Sequence, residues 1–207
     1  MTAPQSPRVI EFIFDFGSPN AYLSHKVLPS IAARTGTTVK LVPCLVGGIF
    51  KLTGNQAPFT AFGHIKGKLD YEQLELRRFV AKHGLNRFAH NPHFPMNTLL
   101  MMRGMIAAQR AGVADAYLDA VLAGMWEDGR KMDDPEVVQA VLDAAGLDGR
   151  ALLEATQDPV VKAELVTTTE AAAARGVFGI PTYFVGDEMF FGKERLGQIE
   201  DYLVQIV

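Results

Sequence analysis

At 207 residues, 48% of them hydrophobic and 21% charged, the chain has the length and apolar content of one enlarged domain and not of a disordered segment. A net charge of −3, from 20 basic against 23 acidic side chains, argues against a nucleic-acid partner, although a local basic patch could still attract a small anion. The single cysteine, Cys44, excludes an internal disulfide scaffold and a CxxC redox pair.

The first residues, 1–7, read as a polar lead-in without the basic and apolar blocks of a secretory leader. No run is long enough to span a membrane, so a cytoplasmic protein with no membrane partner is expected. Residues 9–16 are rich in aromatic and β-branched side chains and predict a buried first strand. Ser18 and Pro19 then suit the cap and first position of a helix, since proline lacks an N–H that would be unpaired there anyway. Pro29 inside that helix predicts a kink, and Gly36 a stop. A second strand over 39–45 completes a βαβ unit and places Cys44 in an apolar run, where a packed small residue is expected in preference to a nucleophile.

Residues 47–56 read as a glycine-punctuated loop. It lacks the lysine and hydroxyl ending of a phosphate loop and opens no obvious helix. From about 70 to 175 the periodicity is helical, with segments over 70–82, 97–110, 114–126, 135–144 and 159–175. Strand character returns at 182–185 and 189–191 across Gly186-Asp187, and a last helix is expected over 195–204. His64, His83, His90 and His93 lack metal-ligand spacing, so no metal is expected. Asp115, Asp119, Glu127 and Asp128 read as solvated surface groups, and Tyr22 and Trp126 as core-edge aromatics able to line a pocket.

Phe14-Asp15-Phe16-Gly17-Ser18-Pro19, Gly47-Gly48-Ile49-Phe50, Gly54-Asn55, Gly176-Val177-Phe178-Gly179-Ile180-Pro181-Thr182 and Phe191-Gly192-Lys193-Glu194-Arg195-Leu196 stand in an order that resembles the 2-hydroxychromene-2-carboxylate isomerase family. That family is close to the kappa-class glutathione transferases and to thioredoxin-fold disulfide oxidoreductases. The resemblance implies an α/β thioredoxin-like fold over 8–56 and 176–207, with an all-helical insertion over 57–175 forming part of the substrate cleft. It implies glutathione as cofactor, with Ser18 as the catalytic residue in place of a redox cysteine, meeting the cofactor's sulfur; an ordinary helix cap is the alternative role of this serine. Pro181 matches the cis-proline of thioredoxin-like proteins, and Ile180 is expected to offer backbone contacts to glutathione.

Asn55 and Lys51 are further cofactor candidates by the same resemblance, beside the plainer readings of a turn residue and an exposed lysine. Glu194 stands where relatives carry aspartate and is expected to pair with the γ-glutamyl ammonium, with helix capping as the alternative. Gly17 departs from the larger residue of relatives, which widens the acceptor pocket or relaxes the turn. Arg195 is expected to pair with a carboxylate. Phe94, Pro95 and Asn97, with Tyr22, are the expected contacts to a small aromatic carboxylate substrate. The implied reaction is glutathione-dependent cis-trans isomerisation of 2-hydroxychromene-2-carboxylate or a related aromatic ring-cleavage product; a kappa-like glutathione transferase and a noncatalytic glutathione- or peptide-binding module are the alternatives. The resemblance allows a homodimer, for which the sequence shows no interface.

Overall fold

The computed structural model describes residues 8–205, so the lead-in expected over 1–7 lies outside the described residues. The chain opens with β1 (Val9–Phe14), α1 (Pro19–Thr35) and β2 (Thr38–Pro43). It closes with β3 (Thr182–Val185), β4 (Glu188–Phe191), a 3₁₀ turn (Lys193–Arg195) and α10 (Leu196–Gln205). Between them run α2 (Val46–Thr53), α3 (Pro58–Phe62), α4 (Lys68–His83), α5 (Leu99–Ala111), α6 (Ala114–Trp126), α7 (Pro135–Ala144), α8 (Gly149–Ala155) and α9 (Pro159–Ala174). The sheet order is β2-β1-β3-β4, with β1 parallel to β2 and antiparallel to β3, and β3 antiparallel to β4. This is the βαβ and ββα frame of a thioredoxin-like α/β fold, with a long helical stretch between its halves, as the sequence led us to expect. Among the described residues no helix is long and apolar enough to cross a membrane.

β1 reads as a nearly unbroken apolar run because it lies inside the sheet with both faces covered. Phe12 stacks on Tyr183 at 5.3 Å, and Phe12, Phe14 and Phe16 form successive edge-to-face pairs. The strand ends two residues earlier than the expected 16. The amide of Ser18 donates to the Asp15 carbonyl at 3.1 Å, and this turn diverts the chain before Phe16 can pair. α1 then runs through Pro29 to Gly36, which takes the left-handed conformation that ends it.

The stretch expected as a loop over 47–56 is instead α2 over most of its length. Its first amides find acceptors far away in sequence: Val46 N–H donates to Asp15 Oδ2 at 2.7 Å and Leu45 N–H to Thr169 Oγ1 at 3.0 Å. Gly48 is required by close packing on α9, since a Cβ there would stand 2.9 Å from the Thr169 methyl. α3 and α8 were not separately expected; each is short and comes between punctuating residues.

Glu127 also departs from expectation. It follows α6 directly, but its side chain is 3% exposed. Tyr22 Oη donates to Oε1 at 2.9 Å, Lys26 Nζ lies 3.1 Å from the same oxygen, and Arg87 Nη2 lies 2.8 Å from Oε2. Burial raises its pKa, but the Tyr22 bond and the two cations outweigh burial and hold the carboxyl below its ordinary value. Nearby, buried Asn91 donates to the Met125 and Arg130 carbonyls at 2.8 and 2.7 Å, fastening the loop before α5 onto the end of α6.

Two outcomes follow from this core. Because Glu127 is held below its unfolded pKa, its contribution is present above about 4.5 and is lost as pH falls through the folded value. Glu127→Gln should therefore destabilise the fold by about 1–3 kcal/mol at neutral pH, in urea unfolding, with the gap to wild type narrowing in acid. Cys44 is fully buried, its thiol pushed up to about 12 by burial and by the charge of Asp15. It should resist alkylation in the native protein and react only on unfolding, so rapid labelling without denaturant would contradict this placement.

Candidate functional site

Ser18 caps α1 as expected. Its Oγ accepts the Ala21 N–H at 3.2 Å, Pro19 follows at the first helical position, and no acidic residue lies in the first turn. The 17-residue helix α1 thus presents its positive end at this hydroxyl. The same Oγ donates to the Ile180 carbonyl at 3.1 Å, across the gap between the two halves of the sheet frame. The Ile180–Pro181 peptide is cis, and the Pro181 carbonyl accepts the Gly192 N–H at 2.9 Å. Thr182 Oγ1 donates back to Gly179 at 2.7 Å, so both sides of this bend are fastened.

Beneath Ser18 lies Asp15, which is fully buried. One oxygen accepts the Gly17 N–H at 2.8 Å; the other accepts Val46 N–H at 2.7 Å and Thr98 Oγ1 at 3.1 Å. Burial raises its pKa, and these three donors oppose that shift only in part. Gly17 belongs to the same arrangement. A Cβ at this position would stand 2.9 Å from the Thr98 methyl, so the lack of a side chain lets Thr98 close on Asp15.

Ser18 opens into a cleft of about 750 Å³. Gly17, Ser18 and Ile180 form one end; Phe50, Phe59, Leu69, Phe94, Pro95 and Trp126 supply apolar walls; Lys68, Glu72, His90, Lys193 and Glu194 bring charged or titratable groups. Trp126 is fixed from behind, its Nε1 donating to the Phe16 carbonyl at 2.8 Å, while its ring lies 5.7 Å from that of Phe94. Phe59 meets Phe94 edge-on at 6.2 Å. The wall made by α3 and α4 is lightly packed, with no buried residue in α3 and only Leu76 buried in α4.

The structure thus gathers Ser18, Ile180, Glu194, Phe94 and Pro95 around one cleft. Pro181 is buried immediately behind Ile180. Asn55 stands outside the lining residues, where Nδ2 donates to the Phe178 carbonyl at 2.7 Å and Oδ1 accepts the Gln56 N–H at 2.8 Å. Lys51 is exposed on α2 and does not line the cleft. Tyr22 is 2% exposed and turned to Glu127, and burial is the main reason its hydroxyl is raised above the ordinary tyrosine value. Asn97 uses its side chain on the start of α5, accepting the Leu99 N–H at 2.9 Å. Residues not foreseen are Asp15 and Thr98 beneath the serine, and Phe59, Lys68, Leu69 and Lys193 in the walls. The apolar spacing of Leu69 and Leu76 along α4 was the one local signal for its wall.

The description "DSBA-like thioredoxin domain" fits residues 9–204. The 2-hydroxychromene-2-carboxylate isomerase of Sphingobium xenophagum is 30% identical over 199 residues, covering 95% of this chain and 98% of that protein. Human glutathione S-transferase kappa 1 is 27% identical over 208 residues, covering 92% and 88%. A solved structure of a 2-hydroxychromene-2-carboxylate isomerase superposes with a TM-score of 0.82 at 28% identity, covering 96% of this chain and 95% of that one. The chain belongs to the DSBA-like thioredoxin-domain family and is homologous to the 2-hydroxychromene-2-carboxylate isomerases and kappa-class glutathione transferases.

Proposed function

We propose that this protein is a glutathione-dependent isomerase acting on 2-hydroxychromene-2-carboxylate or a related aromatic ring-cleavage product. Kinship to isomerases of that name supports an isomerase-type reaction, and kinship to a kappa-class transferase supports the cofactor. The observation that carries the reading is the placement of Ser18. A hydroxyl, not a thiol, stands at the positive end of α1 in an aromatic-walled cleft, while the chain's one cysteine is buried and held protonated. Chemistry needing a sulfur must therefore take it from a diffusible thiol. A cytoplasmic setting, where glutathione is kept reduced, fits that requirement.

The residues present fit such a thiol peptide. The Ser18 hydroxyl and the Ile180 carbonyl, now bonded to each other, are a donor and an acceptor at the cleft end, able to turn toward a sulfur and a peptide amide. Glutathione held by these groups would supply a nucleophilic sulfur for reversible covalent catalysis, regenerated at each turnover. Ser18 and the α1 terminus favour the anionic form of that sulfur; each unit by which a thiol pKa falls corresponds to about 1.4 kcal/mol. We assign the frame over 8–56 and 176–207 to the cofactor, and the helical segment over 57–175 to the acceptor. In that segment Phe59, Phe94 and Pro95 hold the flat ring and keep water from it, with the fully buried Trp126 backing Phe94.

Incubation with glutathione and 2-hydroxychromene-2-carboxylate should yield the trans-hydroxybenzylidenepyruvate isomer with no net loss of glutathione. Ser18→Ala should lower kcat/KM about 100-fold, the usual loss on removing one donor to a developing anion. It should also raise the pKa of the bound thiol, read from thiolate absorbance. Stoichiometric adduct would favour kappa-like transfer instead, and turnover without any thiol would overturn both.

A further inference from the structure

His90 lines the cleft without a part in the thiol chemistry above. The loop that carries it is fastened on both sides of the residue. Ahead of it, the Ala89 N–H donates to the Trp126 carbonyl at 2.8 Å and Arg87 lies against Glu127. Behind it, buried Asn91 bonds the Met125 and Arg130 carbonyls. The Phe88 ring meets the imidazole edge-on at 5.4 Å and itself stacks on Trp126 at 6.0 Å. His90 Nε2 lies 3.0 Å from Gln73 Oε1, so the imidazole joins this loop to the α4 wall. With an amide oxygen accepting, Nε2 carries the ring proton and Nδ1 keeps its lone pair.

The charged side chains around it are already matched. On α4, Lys68 pairs with Glu72 at 3.1 Å and Glu75 with Arg78; at the far turn Lys193 pairs with Glu194; beside the loop, Arg87 and Lys26 share Glu127. Among the lining residues, histidine is the one side-chain type that both takes up and gives back a proton near neutral pH. The proposed substrate needs such a group. In 2-hydroxychromene-2-carboxylate the double bond lies in a ring closed by the bond from C2 to the ring oxygen. It cannot turn until that bond breaks, and the C2 hydroxyl must lose its proton as the carbonyl forms.

We infer that His90 is the proton-transfer residue for opening this ring. Nδ1 takes the proton of the C2 hydroxyl, and the C2–ring oxygen bond breaks with its electron pair left on the ring oxygen. The former hydroxyl oxygen becomes the carbonyl oxygen. The phenolate then takes the proton back from the imidazolium, so none is gained or lost. The inference rests on the isomerase reading above and deepens it: Ser18 serves the sulfur, His90 serves the ring, and Gln73 holds the imidazole in the tautomer required.

The test compares two substrates in the presence of glutathione: the chromene carboxylate, and cis-2-methoxybenzylidenepyruvate, the opened form with its phenol oxygen methylated. The ether has no ring to open and no hydroxyl proton to relay. His90→Gln should lower kcat for the chromene about 100-fold, the usual size of a general acid–base contribution. It should change kcat for the ether by less than about threefold. The wild-type chromene profile should carry one more acidic limb than the ether profile, between about pH 5 and 8, and the variant should lose it. Should the variant fold poorly, the wild type decides alone, through a larger solvent deuterium isotope effect on kcat for the chromene than for the ether. Equal losses on both substrates, full chromene turnover by the variant, or wild-type turnover of the ether alone would overturn the role of His90 and leave glutathione-dependent isomerisation standing. If the wild type isomerises neither substrate with glutathione, the isomerase reading and the role of His90 fall together.

Discussion

Asp15, a buried carboxyl with no cation paired to it among the described residues, joins the three segments that surround Ser18. Through Gly17 it shapes the turn into α1, through Val46 it starts α2, and through Thr98 it fixes the approach to α5. Enclosing a charge is unfavourable, and here two backbone amides and a hydroxyl stand in for the water that is lost. The residual cost shows in the raised pKa, caused first by burial. The sign matters: a carboxyl whose folded pKa lies above its unfolded value favours the fold at low pH and loses that contribution as pH rises through the folded value. Glu127 works in the other direction because it has two cations and a tyrosine hydroxyl. The protein keeps the costly carboxylate under the site and the compensated one behind it.

That arrangement has a consequence for the thiol chemistry. Asp15 raises the pKa of Cys44, though burial is the larger cause, so the buried acid helps silence the only thiol the chain owns. The same charge would oppose a thiolate near Ser18, were the α1 terminus and the serine hydroxyl not interposed there. Ser18 is thus more than a neutral substitute for cysteine. It caps the helix, bridges to Ile180, and places at the helix end a hydroxyl that lacks the redox chemistry of a thiol.

The frame was legible in the sequence because its signals are local. Aromatic and β-branched runs mark the strands, Ser18-Pro19 and Gly36 bracket α1, and the 3.6-residue repeat marks α5, α6 and α9. α2 was not legible: two glycines near its start argue for a loop, and the acceptors that stabilise its first turn lie 31 and 124 positions away. Glu127 was misread for the same reason, since its tyrosine partner lies 105 positions upstream. At the site, the motifs singled out Ser18, Ile180 and Glu194, but they could not show that Asn55, Asn97 and Tyr22 spend their polar atoms on the protein's own backbone or on Glu127.

Lys193 shows what a motif conceals when it is read as a list of positions. Inside Phe191-Gly192-Lys193-Glu194-Arg195-Leu196 the sequence reading gave it no role of its own. The short turn after Gly192 and the face of Phe79 enclose it instead, and burial there is tolerated because its ammonium pairs with the half-exposed Glu194 beside it.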